Sequence, residues 1–160
     1  MKKTLVIIRH AHRNLDDRTR DNGLSDRGEE QVKKLVKFYK TRFDGEKASF
    51  YCSPKKRCVE TLSPLAVEGK SKAIEIDDRL DEHQASENMA MYLARMDEFL
   101  DVWKYEGAEL TVICSHGDWI PIAVKKLVGV QIDIKKSGWI EIEYQEGADA
   151  SLTWLVQKLY

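Results

Sequence analysis

No stretch of this sequence stays apolar for long. The strongest run, Leu5 to Ile8, falls far short of the ~20 residues that a membrane helix needs. Lys2 and Lys3 precede it, but Arg9, His10 and Arg13 interrupt where a secretory signal would need a longer apolar region and a small-residue cleavage site. These absences predict a cytoplasmic protein with no membrane partner. Cysteine is scarce too. Cys52, Cys58 and Cys114 form an odd set without C-x-x-C spacing, which argues against a disulfide framework and a thiolate zinc site and predicts reduced, buried thiols. A cysteine-phosphatase loop is excluded because the Cys52 to Arg57 interval is one residue short of C-x5-R. No G-x-x-x-x-G-K-[ST] nucleotide loop occurs. Neither sign of charge dominates: 26 Lys and Arg face 27 Asp and Glu, so no global basic field exists to hold nucleic acid, and any anion site must be local.

What the chain does have is enough apolar material, 42% of 160 residues, for one compact domain over residues 1–160. Thr4 to Ile8 reads as a strand covered on both faces. Ser25 to Arg42 reads as a helix, with Val32, Leu35, Val36 and Tyr39 at helical spacing and Glu29/Lys33 and Glu30/Lys34 pairs on its surface. Ala48 to Cys52 is a brief strand, and Ser53-Pro54 opens a helix that Pro64 should kink or end early. Ala73 to Ile76 suggests another short strand. Met89, Tyr92, Leu93, Met96, Leu100 and Trp103 form a core stripe on a helix ending near Gly107. Leu110 to Cys114 is a buried strand, followed by a helix marked by Ile120, Ala123, Val124 and Leu127. Ile140, Ile142 and Tyr144 alternate with Glu141 and Glu143, and a turn at Gly147 leads to Leu152 to Val156, a pair of strands expected at a sheet edge. This rhythm predicts a three-layer α/β/α domain with a mostly parallel sheet and an antiparallel edge.

Ligands of such sheets bind outside the carboxyl ends of the strands. That rule brings Arg9 and His10, Ser53 to Arg57, and His116-Gly117 to one rim, with Glu82 in a nearby loop. The residues there carry a resemblance. Leu5 to Ala11 resembles the R-H-G strand end of the histidine phosphatase (phosphoglycerate mutase-like) superfamily. Leu24 to Gln31 is similar to its L-[ST]-x-x-G-x-x-Q helix start, and Ser53 to Thr61 to its S-P-x-x-R-x-x-[EQ]-T segment. Arg79-Leu80-Asp81-Glu82 is similar to its L-x-E acid loop, and Val112 to Gly117 to its V-x-x-S-H-G strand. The segments occur in the family's order from Leu5 to about Leu127. The short chain resembles the compact bacterial phosphohistidine phosphatases more than the sugar-phosphate mutases.

The resemblance implies a phosphoglycerate mutase-like fold and a phosphatase in which His10 accepts the phosphoryl group, Glu82 is the proton donor, and Arg9, Arg57 and His116 hold the phosphate. The chemistry of these residue types agrees. Two arginines offer permanently charged forks to a phosphate dianion, and a neutral imidazole among cations is an effective nucleophile. Such charge stabilisation replaces what Mg2+ supplies in many phosphoryl-transfer sites, so no metal or other cofactor is called for. The expected substrate is a phosphorylated small molecule or a phosphoprotein, phosphohistidine included. Asp81 and Glu87 remain alternatives to Glu82 within the charged stretch Asp77 to Glu87. His12, Arg13, Lys55, Lys56 and Trp119 line either the entrance or a solvated rim. Ala11 stands where the family usually has glycine, and no phosphate-contact role is carried to Asn14. Two other functions compete: a non-catalytic phosphate-binding or signalling module, and a metal hydrolase on His10-x-His12 completed by His83, His116 or Asp118.

Overall fold

The apolar alternation along the first strand dictates the layering. In the computed structural model, which describes residues 1–71 and 73–160, β1 (Lys2–Arg9) sends Leu5 and Ile7 to one face of the sheet and Val6 and Ile8 to the other. Both sets are wholly buried, so both faces must be covered by helices. On the Val6/Ile8 face lie α1 (Asp26–Phe43) and α2 (Lys56–Glu68), which contribute Leu35, Tyr39, Leu62 and Leu65. On the Leu5/Ile7 face lie α3 (Met89–Glu106) and α4 (Trp119–Val128), with Tyr92, Met96, Ile120 and Val124. The remaining strands are β2 (Ser49–Cys52), β3 (Glu75–Ile76), β4 (Leu110–Ser115), β5 (Trp139–Gln145) and β6 (Ser151–Val156). The sheet order is β3-β2-β4-β1-β5-β6, parallel from β3 to β1 and antiparallel across β5 and β6. This is the three-layer α/β/α arrangement the sequence predicts.

Several local expectations need correction. Pro64 does not end α2, which runs on to Glu68. An interior proline removes one helical hydrogen bond at a cost of about 3 kcal/mol, and burial of Leu62, Leu65 and Ala66 around it offsets that loss. The third strand shrinks from Ala73–Ile76 to the two exposed residues of β3 at the open edge. Met89 leaves the core stripe, being 53% exposed, while Phe99 joins it. The outer strands are also less simple than their alternation implies, because β5 is an inner strand paired to both β1 and β6. Its Glu141 is buried and accepts from Nε and one Nη of Arg42, from α1, at 3.0 and 3.1 Å, with Trp139 Nε1 donating at 3.1 Å. A buried carboxylate survives only with such partners.

Candidate active site

Strand register assembles the site. In the parallel β1–β4 pair, Arg9 stands opposite Ser115, so the next residues, His10 and His116, emerge side by side. The His10 amide donates to the Ser115 carbonyl at 3.1 Å, and the two imidazoles meet edge to face at 5.4 Å between centroids. From β2, whose Cys52 pairs with Cys114, the chain leaves at Ser53 and enters α2, which carries Arg57. A 3₁₀ turn over Asp78–Leu80 then delivers Asp81 and Glu82.

These side chains form one contact set. Arg57 is buried, donates to Glu82 Oε2 at 2.7 Å and lies 3.4 Å from His116 Nδ1, while Glu82 Oε2 lies 3.8 Å from that same nitrogen. The other nitrogen of His116, Nε2, lies 2.7 Å from Ser53 Oγ. Arg9 packs its guanidinium against the Gly117 backbone so closely that a Cβ there would lie 2.7 Å from Arg9 Cζ and would push the guanidinium aside. Arg9 also donates to the Ile134 carbonyl at 2.8 Å, and its Nε is buried with no partner among the described residues.

His10 is oriented by its own loop. Its Nδ1 lies 2.8 Å from the Ala11 carbonyl oxygen, and donation along that contact leaves Nε2 with a free lone pair. Ala11 has no positive φ, so alanine keeps the orienting carbonyl without strain. Burial above all, then the nearby charges of Arg57, Arg9 and Lys136, outweigh the Ala11 contact and push the His10 pKa down to about 3. His116 is pushed down to about 2, again first by burial and then by His10 and Arg57. Both rings are therefore neutral near pH 7.

The segments that resemble family motifs but bear no reactive group hold this loop still. Thr61 Oγ accepts the Ala11 amide at 3.0 Å while donating to the Arg57 carbonyl at 2.7 Å, which ties the His10 loop to the arginine. Gln31 accepts the His12 amide at 2.8 Å, and Ser25 caps α1 while its backbone amide donates to the His12 carbonyl at 3.0 Å. Gly28 passes so near that a Cβ would collide with the His12 carbonyl oxygen. Because that obstacle is backbone, Gly28→Ala should lower stability by about 2 kcal/mol, read as a shifted urea midpoint at constant slope, and should lower activity by displacing the loop.

The site thus brings His10, Arg9, Arg57, Glu82 and His116 together. Glu87 is elsewhere, bound through both oxygens by Arg95 at 2.6 and 3.0 Å, which pulls its pKa down to about 2. Asp81 stays close: it is buried, lies 3.4 Å from Ser53 Oγ and 3.6 Å from His116 Nε2, and burial raises its pKa. His12 turns to Ser25 at 2.6 Å and His83 to the Glu87 carbonyl at 3.0 Å. Among the described residues no three His, Cys, Asp or Glu side chains gather so as to hold a metal ion, which leaves the His10-x-His12 pair without further ligands. Trp119 is wholly buried in the core and is no rim residue. Sequence reasoning missed Thr61, the Ser53 contact and Lys136. The first two lie inside segments that resemble the family's motifs, whereas Lys136 sits in a loop with no local signal.

Residues 5–91 match the model of the histidine phosphatase superfamily, branch 1, and the chain belongs to that family. No curated protein sequence matches it. Among solved structures it is similar to a mycobacterial protein named hydrolase 1, at 15% identity and TM-score 0.77 over 99% of this chain and 100% of that one. A phosphoserine phosphatase from Entamoeba histolytica, solved with 3-phosphoglyceric acid, gives 17%, 0.75 and 96% of each chain. The protein histidine phosphatase SixA, solved with tungstate, gives 16%, 0.74 and 96% of each chain, so this protein is of similar size. At these identities the likeness establishes the fold.

Proposed function

We propose that the protein is a phosphatase that hydrolyses phosphate monoesters or phosphoproteins through a covalent phosphohistidine on His10, with residues 1–160 acting as one catalytic domain. The observation that carries this reading is a neutral, oriented His10 with its Nε2 free, set among Arg9, Arg57 and His116. In the first step Nε2 attacks phosphorus in line and the P–O bond to the leaving group breaks, its electron pair going to the leaving oxygen, which takes a proton from Glu82. In the second step water attacks phosphorus, Glu82 takes its proton, and the P–N bond breaks with its pair returning to Nε2. The arginines bear the charge that accumulates on the phosphoryl oxygens. Donation from the Ser53 hydroxyl to His116 Nε2 would leave the His116 proton on Nδ1, which faces Arg57 and Glu82 and is free to donate to phosphate. The Arg57–Glu82 pair must loosen as substrate enters, releasing both groups for these roles. No residue in this scheme needs a cofactor.

No helix among the described residues is long and apolar enough to cross a membrane. The three cysteines are free and buried, which suits a reducing compartment such as the cytoplasm. Hydrolysis of an aryl phosphate in excess EDTA tests the reading: undiminished turnover is expected. Activity abolished by EDTA and restored by a divalent metal would point to metal chemistry, and no turnover of any phosphate ester would point to a binding module.

A further inference from the structure

Beside the phosphoryl pocket lies a cavity of about 650 Å³, within the usual size for small-molecule sites. Arg9, which reaches the His10–His116 pair, also lines it, so the two spaces share a wall. The rest of its charged lining comes from α1 (Arg27, Lys34), the loop before β5 (Lys135, Lys136) and the C-terminal segment (Lys158). Among the described residues that line it, the one acid is Glu30, whose carboxylate is engaged by Lys33 at 2.8 Å. None of the six cations has an ion-pair partner among the described residues, whereas Arg42, Arg57, Arg79 and Arg95 all do. Asp118 and Asp133 act on Arg9 only from beyond ion-pair distance.

The fold fixes Arg9 and Lys136 beside each other at the buried end of this wall, and the other cations stand exposed around it. Ser137 takes a left-handed φ of 63° and its amide donates to the Arg9 carbonyl at 3.1 Å, while the Arg9 amide donates to Gly138 at 3.2 Å. A non-glycine residue in that conformation costs free energy and persists only where its surroundings enforce it. The turn sets Lys136 near Arg9, and its pKa falls through burial first and then through Arg9, Arg18, Arg27 and Arg13. Uncompensated cations held together favour an anion between them.

We infer that this cavity is a second anion subsite, and that the substrate is a small molecule bearing two phosphoryl groups: one transferred to His10, the other held by the Arg27, Lys34, Lys136 and Lys158 wall. This rests on the phosphatase reading above and narrows it. Water and the bisphosphate give inorganic phosphate and the monophosphorylated alcohol.

The test compares butane-1,4-diyl bisphosphate with butyl phosphate, for the unaltered protein and for the double variant Lys34→Gln/Lys158→Gln, whose positions touch neither His10 nor its partners. The bisphosphate should have the higher kcat/KM, and the double variant should lose about tenfold on it while keeping its rate on butyl phosphate. Added salt should weaken the bisphosphate advantage. Equal rates for the two esters, or a preference that survives in the double variant, would overturn the second subsite and leave the phosphatase reading standing. If neither ester is turned over, that reading fails, and calorimetric binding of the same two compounds decides the subsite alone. Tighter bisphosphate binding that the double variant loses supports it, and indistinguishable binding overturns it. An acidic phosphopeptide preferred over bisphosphates of every chain length would overturn the small-molecule assignment.

Discussion

His10→Ala should lower kcat/KM for an aryl phosphate by roughly 10⁴-fold or more, because no other group can take over formation of the P–N bond. Its neighbours do not offer themselves as substitutes. His116 has Nε2 against Ser53 and Nδ1 against Arg57, and His12 is bound to Ser25. The variant should still bind inorganic phosphate within about tenfold of the unaltered protein, since Arg9 and Arg57 remain. Loss of turnover with binding kept would separate chemistry from folding. Stability should move with pH as well. The buried His10 takes up a proton only near pH 3 while folded but near 6.5 once unfolded, so the unfolded chain binds the extra proton between those values. The unaltered protein therefore loses stability from this group as pH falls from about 6.5 towards 3. His10→Ala should show a shallower acid decline, measurable as unfolding midpoints across that range.

Arg57→Ala should cost roughly 10³-fold in kcat/KM, with kcat and KM both affected, because the residue combines three functions. It supplies fixed positive charge at a buried position, it holds Glu82 at 2.7 Å, and it reaches His116 at 3.4 Å. Its backbone carbonyl also anchors Thr61, but that bond survives truncation of the side chain. Arg57→Lys keeps the charge without the planar fork, so it can satisfy Glu82 or the phosphoryl group but not both with the same geometry. It should recover no more than about a tenth of the lost activity. Steady-state kinetics on one aryl phosphate checks both variants, and a loss under tenfold for Arg57→Ala would remove Arg57 from the phosphate site.

The parts of the molecule legible in the sequence are those set by short-range periodicity. Leu5 to Ile8 announces a strand buried on both faces, and the positions of His10, Arg57 and His116 just past strand ends follow from the rule for parallel sheets. What escaped depends on contacts between distant residues. Glu141 alternates in sequence like a solvent-facing residue, yet Arg42, 99 residues away, makes its burial possible. Pro64 carries a strong local signal to stop, which the packing of its helix face overrides. Asp81 and Glu82 are neighbours in one charged stretch, and only the 3₁₀ turn before them decides which carboxylate meets Arg57. Lys136 reaches the site through a loop whose left-handed Ser137 gives no sign in composition or spacing.

The phosphatase reading stands or falls on a covalent bond between phosphorus and His10 Nε2. The most direct measurement is to denature the protein in alkali during turnover, digest it and locate any phosphoryl group by mass spectrometry, using Glu82→Gln to slow hydrolysis of the intermediate. An acid-labile, base-stable phosphoryl group is expected on His10, absent from His10→Ala. Turnover with no phosphorylated His10, or with the label on another residue, would contradict it.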